Sequence, residues 1–193
     1  MKSNDAGGPA EVPARFLPPP RFAWPDGRRC AAMLCFDVDG ETTALSEDPK
    51  LARRRTLMSQ CEYGPRIGVP RLLGLLDHLA VPATFFVPGY IAEHHPRMVE
   101  AIVARGHEVG LHGYLHEKLA YLTEPEEEAI LARCLDVLTR LTGKRPVGFR
   151  APWFETNPWT AGLLVGTGDF VAEEAPGPKP AVGKTSVARI SAR

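Results

Sequence analysis

Three of the chain's six histidines stand in one short stretch, HEVGLHGYLHEKL, which runs from His107 to Leu119. His112 and His116 are four residues apart, a separation that can bring two imidazoles to one cation from a single helical turn. Gly113 between them favours a loop or a helix start over a helix interior. A bare H-x-x-x-H also occurs in histidine-rich corners of ordinary folds, so the rest of the chain has to decide. Two acids, Asp37 and Asp39, alternate along an extended segment. They face opposite sides if the strand continues past them and converge on a cleft if it ends there; strand-end acids also serve as solvated or capping groups. Two imidazoles and one carboxylate make a three-donor set that leaves zinc a position open for water. A metal lowers the pKa of that water, and a second carboxylate can accept its proton. An arginine at another strand end, here Arg150, can polarise a substrate carbonyl or hold that carboxylate in place. Trp153 and Phe154 either line a substrate cleft or cover the edge of the core. His107 reads as a hydrogen-bonded structural residue, His94 and His95 as a solvated helix start, and His78 as the polar side of a Leu-rich helix.

These groups need elements to position them. CAAMLCFDVDG, from Cys30, is a short apolar run ending in acids and a glycine, as a buried strand with a functional C-terminal end would be. Residues 46–66 look like a polar excursion. GVPRLLGLLDHLA places Val69, Leu72, Leu73, Leu76 and Leu79 at helical spacing, with Pro70 near the start. VPATFFVPG is a second strand, PRMVEAIVARG a helix closed by Gly106, and HEVGLH a third strand. TEPEEEAILARCLDVLTRLTG opens on a Thr cap, a Pro and early glutamates that suit the helix dipole, and it closes at Gly143. RPVGFRAP is a fourth strand, and NPWTAGLLV starts a further helix. Alternating strands and helices argue for a parallel α/β arrangement, open or barrel-like. In such folds chemistry gathers where strands end; Asp37 and Asp39, His112 and Arg150 all fall at such ends.

With 193 residues, 44% of them hydrophobic and 24% charged, the chain suits one soluble domain with some excess. Lys+Arg and Asp+Glu balance at 23 each, which gives no electrostatic case for nucleic acid or a membrane surface. No window approaches the roughly 18 uninterrupted apolar residues of a membrane span. The N-terminus lacks the apolar core of a signal peptide. Cys30, Cys35, Cys61 and Cys134 show no paired spacing and read as reduced thiols of a cytoplasmic protein, Cys35 as a small buried hydrophobe. Residues 1–29 read as a Pro/Gly-rich N-terminal arm, residues 30–165 as the α/β domain, and residues 166–193 as an irregular tail. Four strands are too few to close a barrel.

Four blocks, FDVDGE (36–41), ATFFVPG (83–89), GHEVGLHGYLHE (106–117) and GFRAP (148–152), resemble in order and spacing the polysaccharide deacetylase family, which carries the NodB-homology domain. The resemblance covers roughly residues 30–165. It implies a distorted (β/α) barrel, here incomplete at its C-terminus, and metal-dependent hydrolysis of an amide bond, typically an N-acetyl group on an amino sugar. Carried over residue by residue, Asp39, His112 and His116 would bind one divalent metal, zinc first, with cobalt, manganese or nickel as the other ions. Asp37 would be the general base, and Arg150 would orient it.

Two departures shape the expected function. Many carbohydrate-acting members have adjacent aspartates and Ser or Thr after the first histidine, whereas this chain has DVDGE and HGYLH. That variant resembles a branch with peptidoglycan deacetylase-like proteins and hydrolases of cyclic imides or ureides, so the substrate is either a small amide or imide or an N-acetylated sugar. Family members also continue past the third motif to a late histidine that protonates the leaving amine. Here no histidine follows His116, which reads as a truncated member with activity reduced by about 10²–10⁴-fold or lost. The alternative is a non-catalytic metal- or carbohydrate-binding remnant that works as partner of a complete subunit. Relatives often assemble, and an open sheet edge encourages homo-oligomers.

Overall fold

The computed structural model describes Gly27, Cys30, residues 32–166 and residues 187–189. The arm expected over residues 1–29 therefore falls, Gly27 apart, outside the described residues, as does most of the expected tail. All elements below belong to the unit Met33–Arg193.

Four strands run parallel and neighbour one another in chain order: β1 (Cys35–Asp37), β2 (Thr84–Val87), β3 (Glu108–Leu111) and β4 (Gly148–Arg150). Strand order without a reversal is that of a curled half-barrel, incomplete among the described residues, and not of a doubly wound sheet. The tail departs from its irregular reading at one place: β5 (Val187–Arg189) pairs antiparallel with β4. Pairing is uneven across the sheet. Four registered pairs join β2 to β3, from Thr84↔Glu108 to Val87↔Leu111, whereas β3 and β4 share the single pair Leu111↔Phe149.

The two faces of the sheet differ. Phe85 and Val87 of β2 are fully buried and pack outward into the apolar core. They meet α3 (Val69–Leu79), α5 (Pro96–Ala104) and α6 (Glu124–Thr142) through residues such as Leu73, Ile102 and Leu138. Burying each such side chain stabilises the fold by about 1.5–3 kcal/mol. Phe86, between them, points the other way, as the two-residue strand period requires. A Cβ at Gly110 would lie 2.7 Å from the Phe86 ring, so glycine there makes room for that ring on the inner face.

The helices largely follow the expected periodicity. Of the predicted α3 face, Val69, Leu73 and Leu76 are buried, but Leu79 at the last turn is 53% exposed. The Glu126 carboxylate at the start of α6 accepts from the Thr123 N–H (2.8 Å) and hydroxyl (2.7 Å), and Gly143 ends α6 at φ +69°. Glu127, on the next position of α6, is fully buried. It accepts from Thr160 Oγ1 at 2.5 Å, Asn157 Nδ2 at 2.7 Å and Trp159 Nε1 at 2.9 Å. This ties α7 (Thr160–Gly166) and the segment before it to α6. Residues 46–66 are not a plain excursion. They contain the end of α1 (Thr42–Glu47), a 3₁₀ turn over Pro49–Arg53, α2 (Arg55–Cys61) and the start of a π-helical turn at Gly64–Gly68. These pieces are too short to show a helical period.

A further helix, α4 (Gly89–His94), precedes α5 and corrects the reading of the two adjacent histidines. His94 ends α4 and donates through Nδ1 to the Tyr90 carbonyl at 2.8 Å. His95 is not solvated: it caps α5 and meets the Glu41 carboxylate at 2.9 Å. His107 is buried with neither ring nitrogen hydrogen-bonded among the described residues; its ring lies 5.7 Å from that of Phe85. The cysteines are free, and the buried one is Cys134, not Cys35. Burial pushes the Cys134 thiol up to about 12.

Candidate active site

β1 ends at Asp37, and this is what lets the two acids converge. The Val38 N–H donates to the Phe86 carbonyl at 3.0 Å, and the chain then turns at Gly40 with φ +49°. A Cβ on Gly40 would meet Ile91 Cδ1 at 2.8 Å and Pro65 Cγ at 2.9 Å, so only glycine fits. The Asp39 carbonyl accepts from the Thr42 N–H at 3.0 Å and hydroxyl at 2.5 Å, which fixes the backbone and leaves the carboxylate free.

His112 and His116 follow β3 on an irregular loop, not on a helical turn. Its polar backbone is accounted for one group at a time. The Gly113 carbonyl accepts from the Gly89 N–H at 3.0 Å, and the Tyr114 carbonyl from the Tyr90 N–H at 2.9 Å. The N–H groups of Tyr114 and Leu115 donate to the Glu117 carboxylate at 2.9 and 2.8 Å. Gly113 at φ +69° and His116 at φ +58° make the bends. The second is uncommon for a side chain with a Cβ and marks a conformation held by its surroundings.

His112 Nδ1 lies 2.7 Å from the Arg150 carbonyl, which can only accept, so this nitrogen carries the proton. Nε2 then turns its lone pair towards Asp39 Oδ1, 3.3 Å away, and His116 Nε2 lies 3.8 Å from Asp39 Oδ2. One donor atom from each of Asp39, His112 and His116 falls within 4.8 Å of the others. Ligands at about 2.1 Å from a tetrahedral ion stand roughly 3.4 Å apart, close to the 3.3 and 3.8 Å that separate the Asp39 oxygens from the two imidazoles. Asp39 Oδ1 is buried without a hydrogen-bond partner, as a position waiting for a cation would be. Burial pushes the Asp39 carboxyl up, but His112, His116 and Arg150 outweigh it and hold it below its ordinary value. Burial pushes His116 below its ordinary value against the pull of Asp39, favouring the neutral, ligating form.

Arg150, at the end of β4, serves both halves of the site. Its Nη1 lies 2.5 Å from Asp37 Oδ1, and its guanidinium sits over the Phe86 ring at 4.4 Å. Its own carbonyl is the group that fixes the His112 tautomer. Trp153 (φ +58°) donates its indole N–H to the His116 carbonyl at 3.0 Å and carries Lys118 over its ring at 4.6 Å. Lys118 pairs with Glu47 at 2.6 Å, closing the rim from α1. Phe154 (φ +57°) is 61% exposed. The expected residues thus divide into Asp39 with the two histidines, Asp37 with Arg150, Trp153 against His116, and Phe154 facing solvent. Sequence reasoning passed over Glu117, Lys118 and Glu47. Only Glu117 left a trace, as an acid adjoining the second histidine beside a glycine-bent loop.

The family model described as Polysaccharide deacetylase matches residues 52–163. A peptidoglycan deacetylase of Helicobacter pylori (strain ATCC 700392 / 26695) is 41% identical over 103 residues, 53% of this chain and 35% of that protein. Among solved structures, a protein from Mycobacterium smegmatis assigned as a candidate polysaccharide deacetylase superposes with TM-score 0.74 at 49% identity. That match covers 76% of this chain and 51% of the other. An allantoinase, Puue, superposes with TM-score 0.66 at 29% identity over 84% of this chain and 59% of its own. The chain therefore spans about a third of the curated relative and between half and two thirds of each solved neighbour.

Proposed function

We propose that this chain, which belongs to the polysaccharide deacetylase family, is built to hydrolyse a non-peptide carbon–nitrogen (amide) bond with the help of one divalent metal, zinc first. The observation that carries the reading is the donor set of Asp39, His112 and His116, within 4.8 Å of one another, with a buried Asp39 oxygen lacking a partner. These three residues would hold the ion. The chemistry supplied by a bound ion is Lewis-acid polarisation of an amide carbonyl and acidification of water.

The protein's own groups do the rest. Asp37 accepts the proton of the attacking water as general base. Arg150 holds Asp37 Oδ1 at 2.5 Å, which keeps the base aimed and leaves Oδ2 to take the proton. Trp153 walls the site beside His116, and Phe154 offers an exposed apolar surface to the remainder of the substrate. For substrate we keep two amide classes, an N-acetylated amino sugar and a small cyclic imide or ureide. The peptidoglycan deacetylase supports the first and the allantoinase neighbour the second.

Metal content of the purified chain, followed by release of acetate from N-acetylated oligosaccharides and ring opening of cyclic ureides, tests the reading. About one metal per chain with turnover of either class is the expected result; a chain that binds no divalent metal overturns it. A second reading is a metal- or sugar-binding partner without turnover. It predicts stoichiometric metal and no release from either class.

A further inference from the structure

Two residues four apart reach the same cation readily on a helix, because the helical hydrogen-bond ladder holds their spacing. His112 and His116 have no such ladder. Their loop carries two positive-φ residues in five positions, and two of its inner N–H groups, those of Tyr114 and Leu115, have no main-chain acceptor among the described residues. Left unmet, those donors would let the loop rearrange. One side chain meets both. Glu117 turns back so that Oε2 takes the Tyr114 N–H at 2.9 Å and Oε1 takes the Leu115 N–H at 2.8 Å. A carboxylate spanning two successive amides in this way replaces the carbonyls that a helix would have offered. The space it needs is provided at Gly113, where a Cβ would stand 2.8 Å from Glu117 Oε2 and 3.0 Å from Pro152.

We infer that Glu117 is a positioning residue for the metal pair: its carboxylate clamp holds the loop in the shape that puts His116 Nε2 beside Asp39. The inference rests on the metal reading above, and it concerns a side chain that touches neither the ion's donors nor substrate. Charge alone does not explain the arrangement, because both oxygens are used and each takes a different amide. Asp at this position is one methylene too short to span both amides. Gln keeps one acceptor and turns an NH₂ towards the second N–H, so it should restore part of the function.

The test is cobalt and zinc binding by the full chain and its Glu117→Ala and Glu117→Gln variants. Affinity is read by competition with a chromogenic chelator, geometry by the visible bands of bound cobalt, and folding by metal-free thermal melts. Glu128→Ala, on the exposed side of α6, removes the same charge as a control. We expect zinc affinity to fall by roughly 10–100-fold in Glu117→Ala, with altered cobalt bands, an intermediate loss in Glu117→Gln and no change in Glu128→Ala. If Glu117→Ala folds and keeps parental affinity and cobalt bands, the inference is wrong while the metal reading stands. If Glu117→Ala does not fold, Glu117→Gln decides on the same two readouts. If the parental chain itself binds neither metal, the proposed function falls first and takes the inference with it.

Discussion

Glu127 on α6 is a carboxylate drawn wholly out of water, and Asp39 after β1 is one with a single oxygen drawn out of it. The two oxygens of Glu127 take donors from Thr160, Asn157 and Trp159, and the residue is fully buried. Asp39 keeps one buried oxygen without a donor and faces the ring nitrogens of two histidines. A buried carboxylate whose lone pairs are met by neutral donors is complete, and it fixes the elements that bring those donors. One that faces imidazole lone pairs is complete only with a positive charge between them. The difference separates groups that hold the fold from groups that the fold holds ready.

The largest effect that would sharpen this contrast is at the site. Asp39→Ala should abolish stoichiometric zinc while the metal-free melt shifts little, and His112→Ala with His116→Ala should abolish it too; retained zinc in either would break it. Glu127→Ala should do the reverse. Leaving three buried donors unmet should cost on the order of 3 kcal/mol in urea unfolding, while zinc affinity of the folded fraction stays unchanged. Arg150→Ala splits the site itself. The carbonyl on His112 remains, so metal affinity should hold, but amide turnover should drop by about 10²-fold as Asp37 loses its partner.

The smallest effect is in pH. His116 sits below its ordinary value of 6.5 in the folded chain, so below that pH the unfolded chain binds more protons than the folded one. Metal-free stability should therefore be full above about pH 6.5 and decline as pH falls from there towards the folded value, and His116→Gln should flatten that part of the melting-temperature profile.

Much of the site was legible because its residue types are uncommon at strand ends: acids after CFD, histidines after EVGL, an arginine after GF. Short apolar runs marked the four parallel strands, and helical spacing and caps marked most helices. What stayed hidden has physical reasons. The short turns between α1 and α3 carry too few residues for a period to emerge. The spacing of His112 and His116 suggested a helical turn as readily as a loop, because a side-chain clamp by Glu117 leaves no periodic mark. Glu127 read as one of the early glutamates that suit the helix dipole, since nothing local announces that Asn157, Trp159 and Thr160 come to it from about thirty residues away. His95 looked solvated for a similar reason, its partner Glu41 lying 54 positions earlier.

The single registered pair between β3 and β4 has a consequence for how the site can come apart. Arg150 brings the contact to Asp37 and the carbonyl on His112, and Trp153 follows three residues later with the contact to His116. All three arrive across the narrowest seam in the sheet. Slow breathing at that seam would withdraw base orientation, tautomer control and the aromatic wall in one motion. Amide exchange at Phe149 and Arg150 would then report the fraction of time for which the chemistry is assembled at all.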